Sequence, residues 1–274
     1  MAAAGTEFAG RRVVVTGAAG IYGRELALSF AAAGADLFLS DIDAAGLDKV
    51  VAETGLPRER IATDHTDLTD AASIGRFVAA VVARWGSPDI VLNVAGIYPF
   101  GDLLDVDIAT WDRVMAVNLR APFLITQGLA KAMMDRQVRG SFINISSGSA
   151  ALLRPTGIPY GVSKRGLEWL SQGFALDLAA LGIRVNCIQP GVAIREGAEG
   201  GSPGEHVALM KANNPMGRLV KQGDLSATVM FLTSDAAEYI TGVVIPVSGG
   251  ATLPRRPGIA TGAERRMKAA GTAP

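Results

Sequence analysis

The sequence predicts an α/β fold in which helices cover both faces of a doubly wound sheet, giving three layers. Seven short apolar runs, rich in β-branched residues, alternate with longer Ala- and Leu-rich segments of helical period. The runs show little polar alternation, which is typical of strands in a mainly parallel sheet that is buried on both sides. No change in composition marks a second domain, so we expect the 274 residues to form one domain, with its core at about residues 10–250.

The predicted strands and helices alternate along the chain. Strands are predicted at residues 13–16, 36–40, 60–63, 90–93, 141–146, 183–188 and 243–247. Helices are predicted at residues 21–33, 44–53, 71–85, 111–136, 160–181 and 225–234. Because parallel neighbours need long crossovers, this order predicts successive βαβ units, with ligands bound beyond the carboxyl ends of the strands.

Composition argues against several classes of protein. Hydrophobic residues make up 49% of the chain, which is incompatible with disorder throughout. The chain has 26 Lys and Arg against 26 Asp and Glu, so it lacks the basic field that nucleic acid requires. No run approaches the ~18–20 uninterrupted apolar residues of a membrane helix, and no apolar signal core precedes the first arginines. We therefore expect a cytoplasmic protein with neither a nucleic-acid nor a membrane partner.

Thiol and imidazole groups give no sign of a metal site. Cys187 is the single cysteine and lies in an apolar run, so it cannot form an internal disulfide, and we expect a buried, inert thiol. His65 and His206 are far apart in sequence and lack a metal-ligand spacing. We assign neither histidine to catalysis and predict no metal.

Two segments near the end of the chain depart from the alternating pattern. Residues 195–218 are rich in Gly, Pro and Asn and follow a strand end, so we interpret about 192–218 as a substrate lid. A surface loop without a role is the alternative. Residues 251–274 lack an apolar period and are interpreted as a mobile tail or an arm between subunits.

A glycine-rich turn follows the first predicted strand. Residues 16–23 read TGAAGIYG, with Gly17, Gly20 and Gly23 three apart, and a predicted helix follows directly. Glycines allow close approach of a ligand to the backbone, and the free amides at the helix start, here at Ile21 and Tyr22, attract a pyrophosphate. The spacing predicts a dinucleotide site, although close packing of the helix on the strand would also explain it.

Carboxylates follow the second and third predicted strands. Asp41 lies about 24 residues after the first glycine of the turn, where a carboxylate accepts hydrogen bonds from the adenosine ribose. Its charge, with no Arg or Lys directly after it, favours NAD over NADP, and we place Ile42 in the same site. Asp67 could meet the adenine amino group, with Leu68 beside it, and Asp70 could cap the next helix. A loop or N-cap role for Asp41, and capping alone for Asp67 and Asp70, stay open.

A tyrosine and a lysine lie one turn apart at the start of the fifth predicted helix. Tyr160 and Lys164 would share one face of it. A free tyrosine has a pKa of about 10, which positive charge from Lys164 and an oxidised nicotinamide ring would lower towards neutrality. Because such pairs also arise by chance, the pair alone is weak support for catalysis. Ser147 ends a strand where its hydroxyl could bond a substrate oxygen, and Asn118 is a polar residue on an apolar helical face that needs a partner.

These motifs occur together in the order and approximate spacing of one known family. They are TGAAGIYG, Asp41, DLTD at 67–70, NVAG at 93–96, Asn118, Ser147, YGVSK at 160–164 and Pro190-Gly191. Over roughly residues 10–250, the chain resembles the short-chain dehydrogenase/reductase family. The resemblance implies a Rossmann-type fold, a nicotinamide dinucleotide cofactor and a homo-oligomer, commonly a tetramer.

The resemblance also implies roles for individual residues. Tyr160 would be the general acid/base, and Ser147 would orient and polarise the substrate oxygen. Lys164 would lower the pKa of Tyr160 and bind the nicotinamide ribose, while Asn118 would support a water that links Lys164 to solvent. Further cofactor contacts are implied for Asn93, Ala95, Gly96, Pro190, Gly191, Val192 and Ile194.

Three positions depart from the family pattern. Ile21 occupies the middle glycine position of the commonest subgroup, so the spacing here is TGxxGxxG. Val94 replaces an asparagine that usually follows Asn93. Arg195 stands where a threonine usually helps to hold the nicotinamide carboxamide, and it could face an anionic group or solvent. These three departures therefore all fall in the part of the chain that the resemblance assigns to the cofactor.

Together these observations predict an NAD-dependent oxidoreductase that interconverts a secondary alcohol and a ketone or aldehyde of small or medium size. Reduction of carbonyls, including 3-oxoacyl substrates, with NADPH is the alternative within the same class. The other alternative functions are a non-catalytic dinucleotide sensor and an epimerase or dehydratase that retains NAD. Tyr98 and Phe100 could line the substrate pocket or simply pack, and they name no particular substrate.

Overall fold

The computed structural model describes residues 7–154, 156–193, 208, 210–253, 266 and 270. Its seven strands form one parallel sheet in the order β3-β2-β1-β4-β5-β6-β7. The strands are β1 Arg12–Thr16, β2 Asp36–Asp41, β3 Ile61–His65, β4 Ile90–Asn93, β5 Ser141–Ile145, β6 Arg184–Pro190 and β7 Val244–Val247. The predicted doubly wound, seven-stranded parallel sheet is confirmed.

Helices connect the strands and cover both faces of the sheet. They are α1 Ile21–Ala32, α2 Ala44–Thr54, α3 Ala71–Trp85, α4 Ile108–Met115, α5 Ala121–Asp135, α6 Ile158–Leu178 and α7 Asp224–Thr233. The single helix predicted at residues 111–136 is wrong in one respect, because a π-helical turn at Ala116–Arg120 separates α4 from α5. A π turn inserts one residue without breaking the apolar pattern, so periodicity does not reveal it.

Alternate side chains of the central strand enter two separate cores. Val13 and Val15 of β1 point to the face covered by α1, α2 and α7. Val14 points to the opposite face, where it packs with side chains of α3, α5 and α6. All three valines are completely buried, and burying such a side chain stabilises the fold by ~1.5–3 kcal/mol. This two-sided burial explains why the strands read as continuous apolar runs.

The connections on the two sides of β1 pass over opposite faces of the sheet. β1 lies between β2 and β4, with Thr16 of β1 in register with Ser40 and Asn93. The connection from β1 passes over one face through α1, whereas β4 is reached over the other face through α3. Such a reversal opens a crevice at the carboxyl ends of the strands. It is the place where the predicted dinucleotide site and the predicted proton-transfer residues meet.

A buried carboxylate joins α1 to α7 beside this crevice. Glu25 is 7% exposed, and its Oε1 accepts hydrogen bonds from the amides of Gly223 at 3.0 Å and Ser226 at 3.1 Å. It thereby caps α7, whose own N-cap Gly223 has no side chain to do so.

Within the described ranges, no helix is both long and apolar enough to cross a membrane.

Two further sequence predictions concern Cys187 and the segments that follow β6. Cys187 is fully buried, as predicted, and burial raises the pKa of its thiol to about 12. Most of the predicted lid, residues 194–207 and 209, lies outside the described residues, as does most of the predicted tail. Their interpretation stays a prediction.

Candidate active site

The turn after β1 admits glycine alone at two positions. Gly17 has a φ of +67°, and a Cβ added to it would lie 2.6 Å from the Cα of Ala95. A Cβ on Gly23 would lie 2.0 Å from the carbonyl oxygen of Gly17. The packing role that the spacing left open is therefore real. Since the turn also leads into the uncapped start of α1 at Gly20, the same glycines expose backbone amides to an anion.

Asp41 holds this turn from the end of β2. Its Oδ2 accepts from the amide of Ala19 at 2.9 Å, and its Oδ1 accepts from the amide of Asp43 at 3.0 Å. The N-cap of α2 is Asp43, which accepts from the amide of Gly46, so the N-cap alternative for Asp41 is excluded. Each Asp41 oxygen retains acceptor capacity for a further donor.

The cradle at Gly17, the uncapped helix start and the Asp41 carboxylate together fit a dinucleotide. The turn at Gly17 lets β1 lead tightly into the helix, the free amides of the helix start attract a pyrophosphate, and the carboxylate can accept from ribose hydroxyls. Ile21, at the middle glycine position, is 38% exposed at the start of α1, and Ile42 is 62% exposed after β2. Both side chains are therefore open to solvent.

The acidic residues after β3 are used locally. Asp70 caps α3 by accepting from the amides of Ala72 and Ser73. Asp67 accepts from the Thr69 amide at 2.8 Å and from its hydroxyl at 2.7 Å, and these bonds lower the pKa of Asp67. Leu68 packs against the core beneath α3 and α5. The capping role is thus present for Asp70, whereas contact of Asp67 or Leu68 with adenine stays a prediction.

The loop after β4 is tied to β1 and leaves room for Lys164. The Thr16 hydroxyl accepts from the amide of Val94 at 3.1 Å and, more weakly, from that of Ala95 at 3.5 Å. Gly96 then passes so close to the site that an added Cβ would lie 3.2 Å from Lys164 Nζ. The Asn93 side chain is turned into the core, where it donates to Asn144 and Thr126. Any contact of Asn93 with a cofactor would therefore involve its main chain.

Asn118 lies at the middle of the π turn and is completely buried. Its Oδ1 accepts from the amide of Ile97 at 2.9 Å, and its Nδ2 donates to the Ile97 carbonyl at 2.8 Å and to the Ser163 hydroxyl at 3.1 Å. The predicted need of the Asn118 side chain for a partner is thus met by Ile97 and by Ser163. Asn118 joins the loop after β4 to the helix that carries Tyr160.

Lys164 is buried beneath the Tyr160 ring. Its Nζ donates to the carbonyl of Ile145 at 2.7 Å and lies 5.8 Å from the centre of the Tyr160 ring. Burial lowers the pKa of Lys164 to about 8, because the charged form loses its hydration. The shared helical face that the sequence predicts for this pair is present in α6.

Tyr160 differs from the sequence prediction in its pKa. Burial raises the pKa of Tyr160 above its usual value, and hydrogen bonding to Ser147 and the charge of Arg154 oppose this only in part. The prediction that Lys164 lowers it is therefore not met by the protein groups alone. The physical reason is burial, which disfavours both the phenolate and the ammonium.

A tyrosine of the glycine turn reaches across the crevice. The Tyr22 hydroxyl donates to the carbonyl of Gly191, and burial raises the pKa of that hydroxyl. The amide of Gly191 in turn donates to Val247 at 2.8 Å, and Val192 accepts from the amide of Val220. The predicted nicotinamide segment, which begins at Pro190, is thus held on both sides as far as Val192. Ile194 and Arg195 lie outside the described residues.

Exposed apolar side chains surround the mouth of the site. Tyr98 is 63% exposed and packs edge-on against both Phe100 and Tyr160, with ring centres 6.0 and 6.1 Å apart. Leu153 is 89% exposed and lies three residues after the short helix that follows Ser147. Tyr98 therefore borders Tyr160 directly, in the place that a substrate would approach.

Residues 17–252 match the model of a family described as enoyl-(acyl carrier protein) reductase, which together with the relatives below decides the family. The chain belongs to the short-chain dehydrogenase/reductase family. It is 35% identical over 252 residues to 2-keto-3-deoxy-L-fuconate dehydrogenase of Xanthomonas campestris, covering 89% of this chain and 81% of that one. It is 36% identical to galactitol 2-dehydrogenase (L-tagatose-forming) of Cereibacter sphaeroides, covering 89% and 96%.

Solved structures agree with this membership. A putative short-chain alcohol dehydrogenase from Sinorhizobium meliloti has a TM-score of 0.82 and 33% identity, covering 89% of this chain and 97% of that one. A 4-hydroxyisoleucine dehydrogenase complexed with NADH has a TM-score of 0.83 and 26% identity, covering 89% and 100%. As a short-chain dehydrogenase/reductase, the protein is an oxidoreductase of a family that acts on CH–OH groups with nicotinamide cofactors.

Sequence reasoning about this short-chain dehydrogenase/reductase missed three side chains at the site. Ser163 bonds Asn118, Tyr22 contributes its hydroxyl as well as its backbone, and Glu168 is buried behind Lys164. The spacing of Glu168 four residues after Lys164 was the available signal for a shared helical face. Nothing in the sequence showed which strands that face would meet.

Proposed function

We propose that the protein is an NAD-dependent oxidoreductase that interconverts a secondary alcohol and a ketone or aldehyde, with Tyr160 as general acid/base. The observation that carries this proposal is the arrangement around the Tyr160 hydroxyl. Ser147 lies near enough to it to oppose the raised pKa of Tyr160, Lys164 lies beneath its ring, and Asn118 joins the neighbouring loop to its helix. A proton donor/acceptor, a polarising hydroxyl and a cation are thus held together in one crevice.

In the oxidation direction, Ser147 hydrogen-bonds the substrate oxygen and holds the alcohol against Tyr160. Tyr160 accepts the hydroxyl proton and returns it in the reverse direction. NAD, when bound, would supply the hydride acceptor and a positive charge that would oppose the burial raising the pKa of Tyr160. Lys164, the buried cation below, stabilises the phenolate form of Tyr160 that is needed to accept this proton and that is restored in the reverse direction. Asn118 keeps Gly96 and the loop around it at the distance that Lys164 requires.

The preference for NAD rests on Asp41. Its carboxylate lies at the end of β2, beside the glycine turn, and none of the ion pairs among the described residues involves it. A 2′-phosphate would face this negative charge, whereas ribose hydroxyls would donate to it. The NADH in the structure of 4-hydroxyisoleucine dehydrogenase supports the same choice.

We further propose that the enzyme is a homotetramer acting on small polar alcohols. The relatives named for a sugar acid and for galactitol support hydroxylated substrates. Phe123 of α5 and Trp169 of α6 border a surface groove, and Trp169 is 77% exposed. An aromatic face of this kind favours association with a second subunit.

The experiment that tests the proposed function is a screen for NAD reduction over secondary alcohols, polyols, sugars and sugar acids. Tyr160→Phe serves as the blank, and NADP is run in parallel. We expect NADH formation by the wild-type protein alone with at least one alcohol. Activity confined to NADPH-dependent reduction of 3-oxoacyl substrates would replace this proposal by the reductase alternative, and bound cofactor without turnover on any substrate would favour a sensor.

A further inference from the structure

A buried carboxylate lies one helical turn beyond Lys164 on α6. Glu168 is 3% exposed, and two buried side chains donate to its Oε1. The Ser146 hydroxyl does so at 2.6 Å and the Gln189 amide at 2.7 Å. Since a carboxylate only accepts hydrogen bonds, both donors are oriented by Glu168.

Each donor immediately precedes a part of the candidate site. Ser146 precedes Ser147, and Gln189 precedes Pro190 and Gly191. The two donors belong to neighbouring chain segments, because the β5–β6 ladder continues through the amide of Ser146. Glu168 therefore connects the helix of Tyr160 to the strand ends on which the substrate hydroxyl and the nicotinamide segment depend.

We propose that Glu168 is a positioning residue, which fixes Ser147 against Tyr160 and holds Gly191 in place through its two buried hydrogen bonds. This inference rests on the proposed function. Lys164 binds the carbonyl of Ile145, the residue before Ser146. Lys164 and Glu168 lie on successive turns of α6, so the helix contacts two consecutive residues at one strand end. Two such contacts fix both the distance and the rotation of the helix relative to the strand. Loss of the Glu168 contact leaves the bond between Asn144 and Ser171 further along α6 but loosens the helix at this strand end, and a 1 Å misplacement can lower a rate by about 100-fold.

The outer oxygen of Glu168 supplies a matched control. Arg165 contacts Oε2 at 3.2 Å, and its side chain is 70% exposed, so the pair is screened by solvent. Arg165→Met removes a partner of the same carboxylate and leaves the bonds to Ser146 and Gln189 in place. We expect this variant to keep wild-type kcat and KM.

The test compares Glu168→Met with Glu168→Gln. An amide oxygen at this position can accept both buried bonds, so we expect Glu168→Gln to retain kcat within about threefold. Glu168→Met leaves Gln189 without this acceptor and leaves Ser146 only the longer bond to the Lys164 carbonyl at 3.4 Å, so we expect kcat to fall by about 10- to 100-fold. KM for the alcohol should change less than kcat, because positioning acts on the reacting geometry.

A second readout does not require turnover. Several groups from different elements face Tyr160: Ser147, Tyr98, Arg154, Tyr22 and Lys164. Ser147 directly follows the Glu168 donor Ser146, and Lys164 binds the carbonyl of Ile145 directly before that donor. We therefore expect Glu168→Met, but neither Glu168→Gln nor Arg165→Met, to raise the pKa of Tyr160. The ionisation is read as the ultraviolet difference between each protein and the same protein carrying Tyr160→Phe.

These readouts separate the possible failures. Wild-type kcat and wild-type Tyr160 ionisation in Glu168→Met, even with reduced thermal stability, would show that Glu168 is only structural and overturn the proposal. If Glu168→Met does not fold, Ser146→Ala removes one donor alone and should shift the Tyr160 ionisation in the same direction. An unshifted ionisation there would equally refute it. Failure of the proposed function would instead appear as an inactive wild-type protein whose Tyr160 ionisation still responds to Glu168→Met.

Discussion

At the residue scale, Lys164 joins a charge to complete burial. Its ammonium gives one hydrogen bond to Ile145 and loses its hydration, so its pKa falls to about 8 from an ordinary value of about 10.5. The native state therefore binds fewer protons than the unfolded chain between these two values. Stability from this group must rise as the pH rises from about 8 to about 10.5.

Lys164→Met tests that sign. Below pH 8 the wild-type protein carries the full penalty of a buried ammonium, and above pH 10.5 it carries none. The difference in free energy of unfolding between wild type and variant should therefore move in favour of the wild type across this window. Denaturant unfolding at several pH values measures it. The raised pKa values of Cys187 and Tyr160 lower the stability of both proteins as the pH rises, so the effect of Lys164 is read from the difference between the two proteins and not from one curve.

Asp41 carries the cofactor preference. Asp41→Ala removes an acceptor for the ribose and a negative charge that repels a 2′-phosphate, so NADH binding should weaken more than NADPH binding. Fluorescence titration with the two reduced cofactors measures this ratio. Asp43→Ala is the control, because it removes a neighbouring carboxylate that caps α2 and should lower stability by ~1 kcal/mol without changing the ratio. A wild-type protein that prefers NADPH would refute the assignment.

The limits of the sequence are also clearest at this scale. Motif and spacing were enough to place Tyr160 and Lys164 on one face of α6, and the polar mismatch at Asn118 was enough to predict a buried partner. They were not enough for Glu168, because its partners belong to strands far away in sequence. The protein groups alone do not lower the pKa of Tyr160, because burial outweighs the local charges and depends on the whole packed crevice, and the effect of the nicotinamide ring stays a prediction.

At the element scale, the strands follow the sequence more closely than the long helix does. β4 has the predicted bounds, because β-branched apolar residues favour a buried strand. The π turn at Ala116–Arg120 has no such signature, yet it places Asn118 between Ile97 and Ser163. The residue that the π turn inserts therefore contributes to the geometry of the site rather than to the hydrophobic core.

The glycine turn provides a test of an element. Gly17→Ala forces a side chain to within 2.6 Å of Ala95 at a positive φ, so we expect a lower melting temperature and the loss of NADH binding. Gly75→Ala is the matched control on α3, where an added Cβ meets nothing within 4 Å. That change should stabilise the protein by ~0.5–1 kcal/mol. Equal thermal stability and cofactor affinity in the two variants would contradict this account of the turn.

At the scale of the whole molecule, the exposed aromatic face of α5 and α6 is the surface that the proposed tetramer would bury. Trp169→Glu places a charge on this face and should reduce the mass in light scattering to that of a smaller assembly. Leu104→Glu is the control, since Leu104 is 98% exposed but lies on the loop after β4. A wild-type monomer, or an unchanged mass for Trp169→Glu, would contradict the proposed interface.

The central claim, proton transfer by Tyr160, is tested most directly by the turnover of Tyr160→Phe at saturating NAD and alcohol, with NADH affinity measured in parallel. Loss of one hydroxyl leaves the glycine turn and Asp41 unchanged, so NADH should still bind with near wild-type affinity. Turnover should fall by at least about 100- to 10,000-fold, the range that positioned acid–base catalysis contributes. Turnover equal to that of the wild-type protein would contradict the account.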